Sequence, residues 1–175
     1  VWTLRSGGEG LRNGAWGMIL FGVSLLALAL DQSSKALVLH GFHLEESRVI
    51  LKGFLNFTYI QNSGAAFGFM SDMPRLLRIP FFLAVTVAAG FIVYAYQRFL
   101  PVERVWTRVY LGLIWGGAMG NCVDRMFYGK VVDFIEVYYK SYHFYVFNVA
   151  DSCISVGIAL LVLDYLFGKS HADEY

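Results

Sequence analysis

Four stretches of the chain stay apolar for roughly the 20 residues a helix needs to cross a bilayer. They cover about Gly14–Ala36, Leu76–Phe99, Trp106–Arg125 and Val146–Phe167. The first has a rival reading. Arg5 and Arg12 precede an apolar core, and Ala27-Leu28-Ala29 resembles a secretory cleavage site. The apolar pattern resumes beyond Ala29 and three more spans follow, which favours a retained helix. Between the first two spans the texture changes. Phe54 to Gln61 alternates in part and is rich in aromatic and β-branched residues, which predicts a strand. Asn62-Ser63-Gly64 then predicts a turn, with a returning strand over Ala65–Phe69. Such a sheet, over about residues 40–72, must lie at the water interface or over the helices, because its backbone cannot face lipid. Gly129–Tyr145, polar and aromatic, is expected at the interface too. The predicted fold class is a mainly α membrane protein with four transmembrane helices, residues 1–175 forming one integral-membrane domain.

Composition agrees. Of 175 residues, 57% are hydrophobic and 15% charged, with mean hydropathy +0.53, against about 25% charged in soluble domains. A net charge of +1 and the lack of a basic run leave no footprint for nucleic acid. Cys122 and Cys153 sit in apolar stretches without CxxC spacing, as buried small residues do. Trp16, Trp106, Tyr138, Tyr139, Tyr142, Tyr145 and Tyr165 gather near the ends of apolar runs, as in an interfacial belt.

With four spans both termini share one side. Arg98, Arg104 and Arg108 fall in one short connection, which points that loop and the termini toward the cytoplasm. Alternation then collects Asp31, the Asn62 loop, Asp124, Asp133 and Asp151 at the opposite, outer face.

Carboxylates beside hydrocarbon are costly, so each candidate carries a structural and a chemical reading. Asp31 and Lys35, four apart, make a helix-face ion pair that anchors the first span or contacts substrate. Ser33 or Ser34 with Lys35 is the wrong helical spacing for a Ser-Lys dyad. Asn121, Asp124 and Arg125 share a helix face after a run of small residues; Asp124 with Arg125 would lock the structure or take part in chemistry. Asp133 lies among Val131, Val132 and Phe134, and Asp151 follows Asn148 by three at the start of the last span. Brought together, two such carboxylates would share a proton, one activating water while the protonated partner polarises a carbonyl and later protonates a leaving amine. Read instead as structure, Asp151 caps its helix and Asp133 is a solvated loop residue. No HExxH, GxSxG, P-loop or dinucleotide fingerprint occurs, and His40, His43, His143 and His171 show no ligand spacing, so no metal site is expected.

Five motifs together resemble the lipoprotein signal peptidases, the type II signal peptidases of bacteria. They are Asp31-Gln32-x-Ser34-Lys35, Asn62-x-Gly64-Ala65-Ala66-Phe67, Gly117-Ala118-x-Gly120-Asn121-x-x-Asp124-Arg125, Val131-Val132-Asp133-Phe134 and Phe147-Asn148-x-Ala150-Asp151, in the family's order. The resemblance implies four spans, an extracytoplasmic β-cradle and an aspartyl protease site facing outward from the bacterial inner membrane. It implies Asp133 and Asp151 as the catalytic pair, with Asn121, Asp124, Arg125 and Asn148 shaping the site. Asn62 and Gly64 would belong to the cradle, while Asp31 and Lys35 would order the first helix. The implied substrate is a diacylglyceryl-modified prolipoprotein within membrane lipid, cut just before its lipidated cysteine. No cofactor is implied, and globomycin is a family inhibitor. Glu136 stands where many relatives carry Asp, Tyr142 where Trp is common, and Tyr145-Val146 lacks a proline often seen before Phe147. Two other functions are weighed against this one. A proton or ion transporter should hold its charges at the bilayer midplane in broken helices, and a non-catalytic scaffold gives the polar motifs no purpose.

Overall fold

The computed structural model describes residues 7–64, 70–101 and 103–167, with side chains from residue 17 onward. Its helices are α1 (Gly7–Gly41), α2 (Arg75–Phe99), α3 (Val105–Tyr128) and α4 (Val149–Phe167). α1 runs unbroken through Ala27–Ala29 and five residues past the expected Ala36, since no helix breaker intervenes before Gly41. α4 begins three residues later than expected, where Asn148 supplies a cap.

Among the described residues, three helices are long and apolar enough to cross a membrane: α1 from Gly17, α2 and α4. The fourth expected span, α3, falls short of that apolar measure. A helix does cover the expected 106–125, but Thr107, Arg108, Asn121, Asp124 and Arg125 dilute its hydropathy. These polar groups are tolerable because α3 is central, touching α1, α2 and α4. α2 is the opposite case, burying only Arg78 and Val93. Large side chains such as Leu25, Leu26, Phe91, Ile92, Val162 and Leu163 stay exposed along α1, α2 and α4. That apolar exterior suits hydrocarbon, not water. Between helices, small residues permit the close approach on which packing in lipid depends. A Cβ on Gly116 would stand 2.5 Å from the Ser24 carbonyl oxygen of α1.

A four-stranded antiparallel sheet lies across one end of the helices, in the order β1 (Ser47–Leu51), β2 (Leu55–Asn62), β3 (Val131–Tyr139), β4 (Tyr142–His143). β2 matches the expected strand. The return expected over 65–69 lies outside the described residues. β2 pairs instead with β1 and β3, so the 129–145 segment, read from sequence only as interfacial, supplies two strands. The register sets Asp133 opposite Ile60 and Val131 opposite Asn62. Gly129 makes the turn from α3 into β3. It holds φ 74°, open to glycine without strain, and its N–H donates to Arg125 O at 3.0 Å. Val38 of α1, Tyr59 of β2 and Val132 and Phe134 of β3 form the core beneath the sheet. Phe57 meets Phe134 edge to face at 5.7 Å.

Candidate active site

Strand β3 enters the protein at its buried end. Val131, Val132, Asp133 and Phe134 are all buried there, and Asp133 is only 1% exposed. Its solvated-loop reading is therefore corrected, since the strand carries it under α4. Asp133 Oδ1 accepts from Asn148 Nδ2 at 2.6 Å and Oδ2 from Asn62 Nδ2 at 3.0 Å. Burial, and next the charge of Asp151, push the Asp133 carboxyl up to about 7 against these hydrogen bonds.

Asp151 comes from the first turn of α4. Asn148 is the N-cap: its Oδ1 accepts the Asp151 N–H at 2.9 Å, and Asp151 Oδ2 accepts the Asn148 N–H at 3.3 Å. This reciprocal arrangement satisfies two amides left over at a helix start. The cap expected of Asp151 is real, and it leaves Oδ1 to take a 2.7 Å bond from Asn121 Nδ2 of α3. Capping and site-building are the same geometry here.

Behind the carboxylates lies a buried ionic cluster. Lys35 Nζ stands 2.8 Å from Asp31 Oδ2, 2.9 Å from Asp124 Oδ2 and 3.1 Å from Asn121 Oδ1. The Asp31–Lys35 pair was legible from spacing. An Asp124–Arg125 lock is not what forms. Asp124 takes Lys35, Gln32 Nε2 at 2.9 Å and the Val132 N–H at 3.0 Å. Asp31 Oδ1 accepts the Ala150 N–H, at 2.9 Å, from the start of α4. Two buried carboxylates on one ammonium would be costly without these further donors. With them, Asp124 ties α3 to β3 and Asp31 ties α1 to α4. Gly120 gives this cluster room, because a Cβ there would collide with the Asp31 carboxylate.

Arg125 turns the other way. It donates to Gly64 O at 2.8 Å and Asn121 O at 3.2 Å, lies 4.1 Å over the Phe82 ring, and sits in the field of both Asp133 and Asp151. Gly64 in turn donates its N–H to Asn62 Oδ1 at 2.9 Å. All ten residues singled out in the sequence thus join one network. Asp133, Asp151, Asn62, Asn121 and Arg125 line a cavity of ≈1050 Å³ with apolar walls from Ile60, Val131, Phe144, Val146, Ile154 and Val156.

Three contributors escaped sequence reasoning. Gln32, one helix position after Asp31, donates to Gly120 O and Asp124 Oδ1. Arg78, a lone cation inside an apolar run, carried a visible signal; it donates to Ser71 O, Met73 O and Gly129 O. Phe82 carried none, being one aromatic among many.

The arrangement defines a class: a multi-pass membrane protein with two carboxylates gathered at one end of its helices, beside an apolar cavity. Two solved structures, each described as a bacterial membrane enzyme, have similar folds. One matches with TM-score 0.78 at 28% identity, over 89% of this chain and 92% of its own. The other matches with TM-score 0.70 at 26% identity, over 85% and 92%. The family model described as signal peptidase (SPase) II matches residues 23–167, and the chain belongs to that family. It is 43% identical to a lipoprotein signal peptidase of Syntrophus aciditrophicus, over 85% of this chain and 93% of that protein. A lipoprotein signal peptidase of Geobacter sulfurreducens is 42% identical over 82% and 89%. The protein is a membrane signal peptidase, and nothing in these relationships favours a transporter.

Proposed function

We propose that this peptidase is an aspartyl endopeptidase that removes the signal peptide of diacylglyceryl-modified prolipoproteins, cutting before the lipidated cysteine. The observation that carries the reading is the meeting of Asp133 and Asp151, from different elements, at one cavity and in unlike surroundings. Asp133, held up near neutrality, keeps its proton, and Asp151 on the helix start serves as the base. Asp151 takes a proton from water as the oxygen attacks the scissile carbonyl carbon, and Asp133 gives its proton to the carbonyl oxygen. The tetrahedral intermediate returns that proton to Asp133 as the C–N bond breaks, and the leaving amine takes the proton held by Asp151. Both residues end as they began. The cavity's apolar walls suit acyl chains, and a globomycin-type peptide would compete for the same space.

In this reading residues 1–175 form one domain and α3 is a fourth crossing. Its 24 residues extend about 36 Å at 1.5 Å per residue. Arg98, Arg104 and Arg108 favour a cytoplasmic α2–α3 connection, with the protein in a bacterial inner membrane and its site on the extracytoplasmic side. The test is incubation of purified protein with a diacylglyceryl-modified prolipoprotein, resolving precursor from product. Asp133→Asn and Asp151→Asn should each lower cleavage at least about 10³-fold while the fold survives. Unchanged cleavage by both variants, or none by folded wild type, overturns the reading.

A further inference from the structure

Three asparagines hand hydrogen bonds to the two carboxylates, and each is turned the right way by a donor that cannot reverse. A side-chain amide can present either its oxygen or its NH2 group, so its direction depends on its partners. The Gly64 N–H fixes Asn62 Oδ1, leaving Nδ2 for Asp133. The Asp151 N–H fixes Asn148 Oδ1, leaving Nδ2 for Asp133 and for Asn121 Oδ1 at 3.1 Å. Among the described residues no backbone amide donates to Asn121 Oδ1. Its Oδ1 accepts Lys35 Nζ and Asn148 Nδ2, and its own Nδ2 therefore faces Asp151.

We propose that Lys35 is a positioning residue for the peptidase: by holding Asn121 Oδ1 it keeps the Asn121 amide NH2 on Asp151 Oδ1, so that Asp151 remains an acceptor. This goes beyond ordering the first helix, and it rests on the aspartyl reading above. Lys35 makes its contacts with Asp31, Asp124 and Asn121; Asp31 reaches only the neighbouring Ala150 N–H, and Asn121 is the hydrogen-bonded link from Lys35 to the Asp151 carboxylate. Ammonium is donor-only and cannot accommodate an Asn121 flip. Asn148 Nδ2 also donates to Asn121 Oδ1, but it is shared with Asp133 Oδ1 at 2.6 Å and Val132 O at 3.3 Å, so an uncharged, non-donating side chain in place of Lys35 leaves only this divided donor against a flip. The flipped amide sets oxygen against oxygen at Asp151, and relief requires a proton between them. Asp151 would then hold its proton away from water and cease to act as a base.

The experiment is the pH dependence of kcat/KM for prolipoprotein cleavage by Lys35→Met, Lys35→Arg, Asp31→Asn and Asn121→Leu. Lys35→Met removes the donor and should move the acid limb up by about one to two pH units, the equivalent of one hydrogen bond to a charged group. Lys35→Arg keeps a donor-only group, and Asp31→Asn keeps Lys35; both should leave that limb in place while lowering thermal stability. Equal shifts in Lys35→Met and Lys35→Arg, or an unshifted limb in Lys35→Met, overturn the proposal. Asn121→Leu keeps the Lys35 charge but removes the donor from Asp151 and must move the limb in the same direction; an unmoved limb there assigns the effect to charge and overturns the proposal, also where Lys35→Met does not fold. Retained cleavage by the Asp133 and Asp151 variants would instead defeat the aspartyl reading, so the two failures remain distinct.

Discussion

The two ends of the helix bundle each hold an ion pair, and they use it differently. At the sheet end, Lys35 and Asp124 meet at 2.9 Å with side chains 3% and 1% exposed. At the other end, Arg104 and Asp164 meet at 3.3 Å with 41% and 25% exposed, helped by Thr107 Oγ1 at 2.8 Å from Asp164. Solvent and headgroups screen the second pair, so it fastens α3 to α4 with little energy. The first has no such screen, and its charges hold only because backbone amides and Asn121 complete their coordination. A buried charge commits its neighbours to one geometry. An exposed one leaves them free, which is why the sheet end suits the carboxylate pair proposed for catalysis.

Asp124→Ala tests that contrast most severely. It strips Lys35 of one carboxylate and frees the Val132 amide, and the loss should be about 3–5 kcal/mol of stability in a detergent or lipid unfolding titration. A loss as small as that of an exposed pair would remove the distinction between the two ends.

A pH titration comes next. The fold favours protonated Asp133, whose carboxyl moves from an ordinary 3.8 up to about 7. Its contribution to stability is therefore full below about pH 4 and is lost as pH rises through about 7. Cleavage that needs its proton should fall about tenfold per pH unit above 7. Asp133→Asn has no proton to lose, so its melting temperature should be flatter than wild type across that window. Parallel melting curves for the two would sink this assignment.

Gly120→Ala is a smaller perturbation. The added methyl presses on the Asp31 carboxylate, and a cost of about 1–3 kcal/mol is expected from overpacking. Cleavage should decline with it, because Asp31 also holds the Ala150 amide at the start of α4. The smallest effect belongs to the other end: Arg104→Gln should cost no more than about 1 kcal/mol and leave kcat/KM unchanged. A kcat/KM change there would mean the two ends communicate.

Glu136 shows how one strand can serve both structure and interface. Burial pushes its carboxyl up, but hydrogen bonds from Thr58, Asn56 and His143 outweigh that and hold it below its ordinary value. It bonds Thr58 and Asn56 of β2 and His143 of β4 at 2.5, 3.1 and 2.8 Å. This glutamate, read from sequence only as a departure from the aspartate of many relatives, joins three strands.

Local chemistry made much of this molecule readable. Apolar runs gave α1, α2 and α4 because hydrocarbon rejects charge along about 20 residues regardless of neighbours. Four-residue spacing gave Asp31–Lys35 because a helix turn fixes that distance. Helix alternation alone sent the acids to one end. The β2 strand showed in its aromatic and β-branched pattern, and Asn148 with Asp151 showed at three-residue spacing. Each of these facts is set by neighbours along the chain.

What needed the folded chain is what depends on distant partners. β3 was hidden because its place is decided by pairing with β2, 70 or so residues away, and not by its own pattern. α3 tolerates its polar residues only because three other helices surround it. Asp124 found Lys35 and not its neighbour Arg125, since α1 brings an ammonium to a buried pocket and Arg125 is drawn to Gly64 and Phe82. The direction of the Asn121 amide, and with it the donor on Asp151, exists only once Lys35 and Asn148 arrive from other helices. Sequence alone determined which groups this peptidase carries to the membrane edge; the tertiary structure decided which faces which, because an amide or a carboxylate takes its role from the donors packed against it.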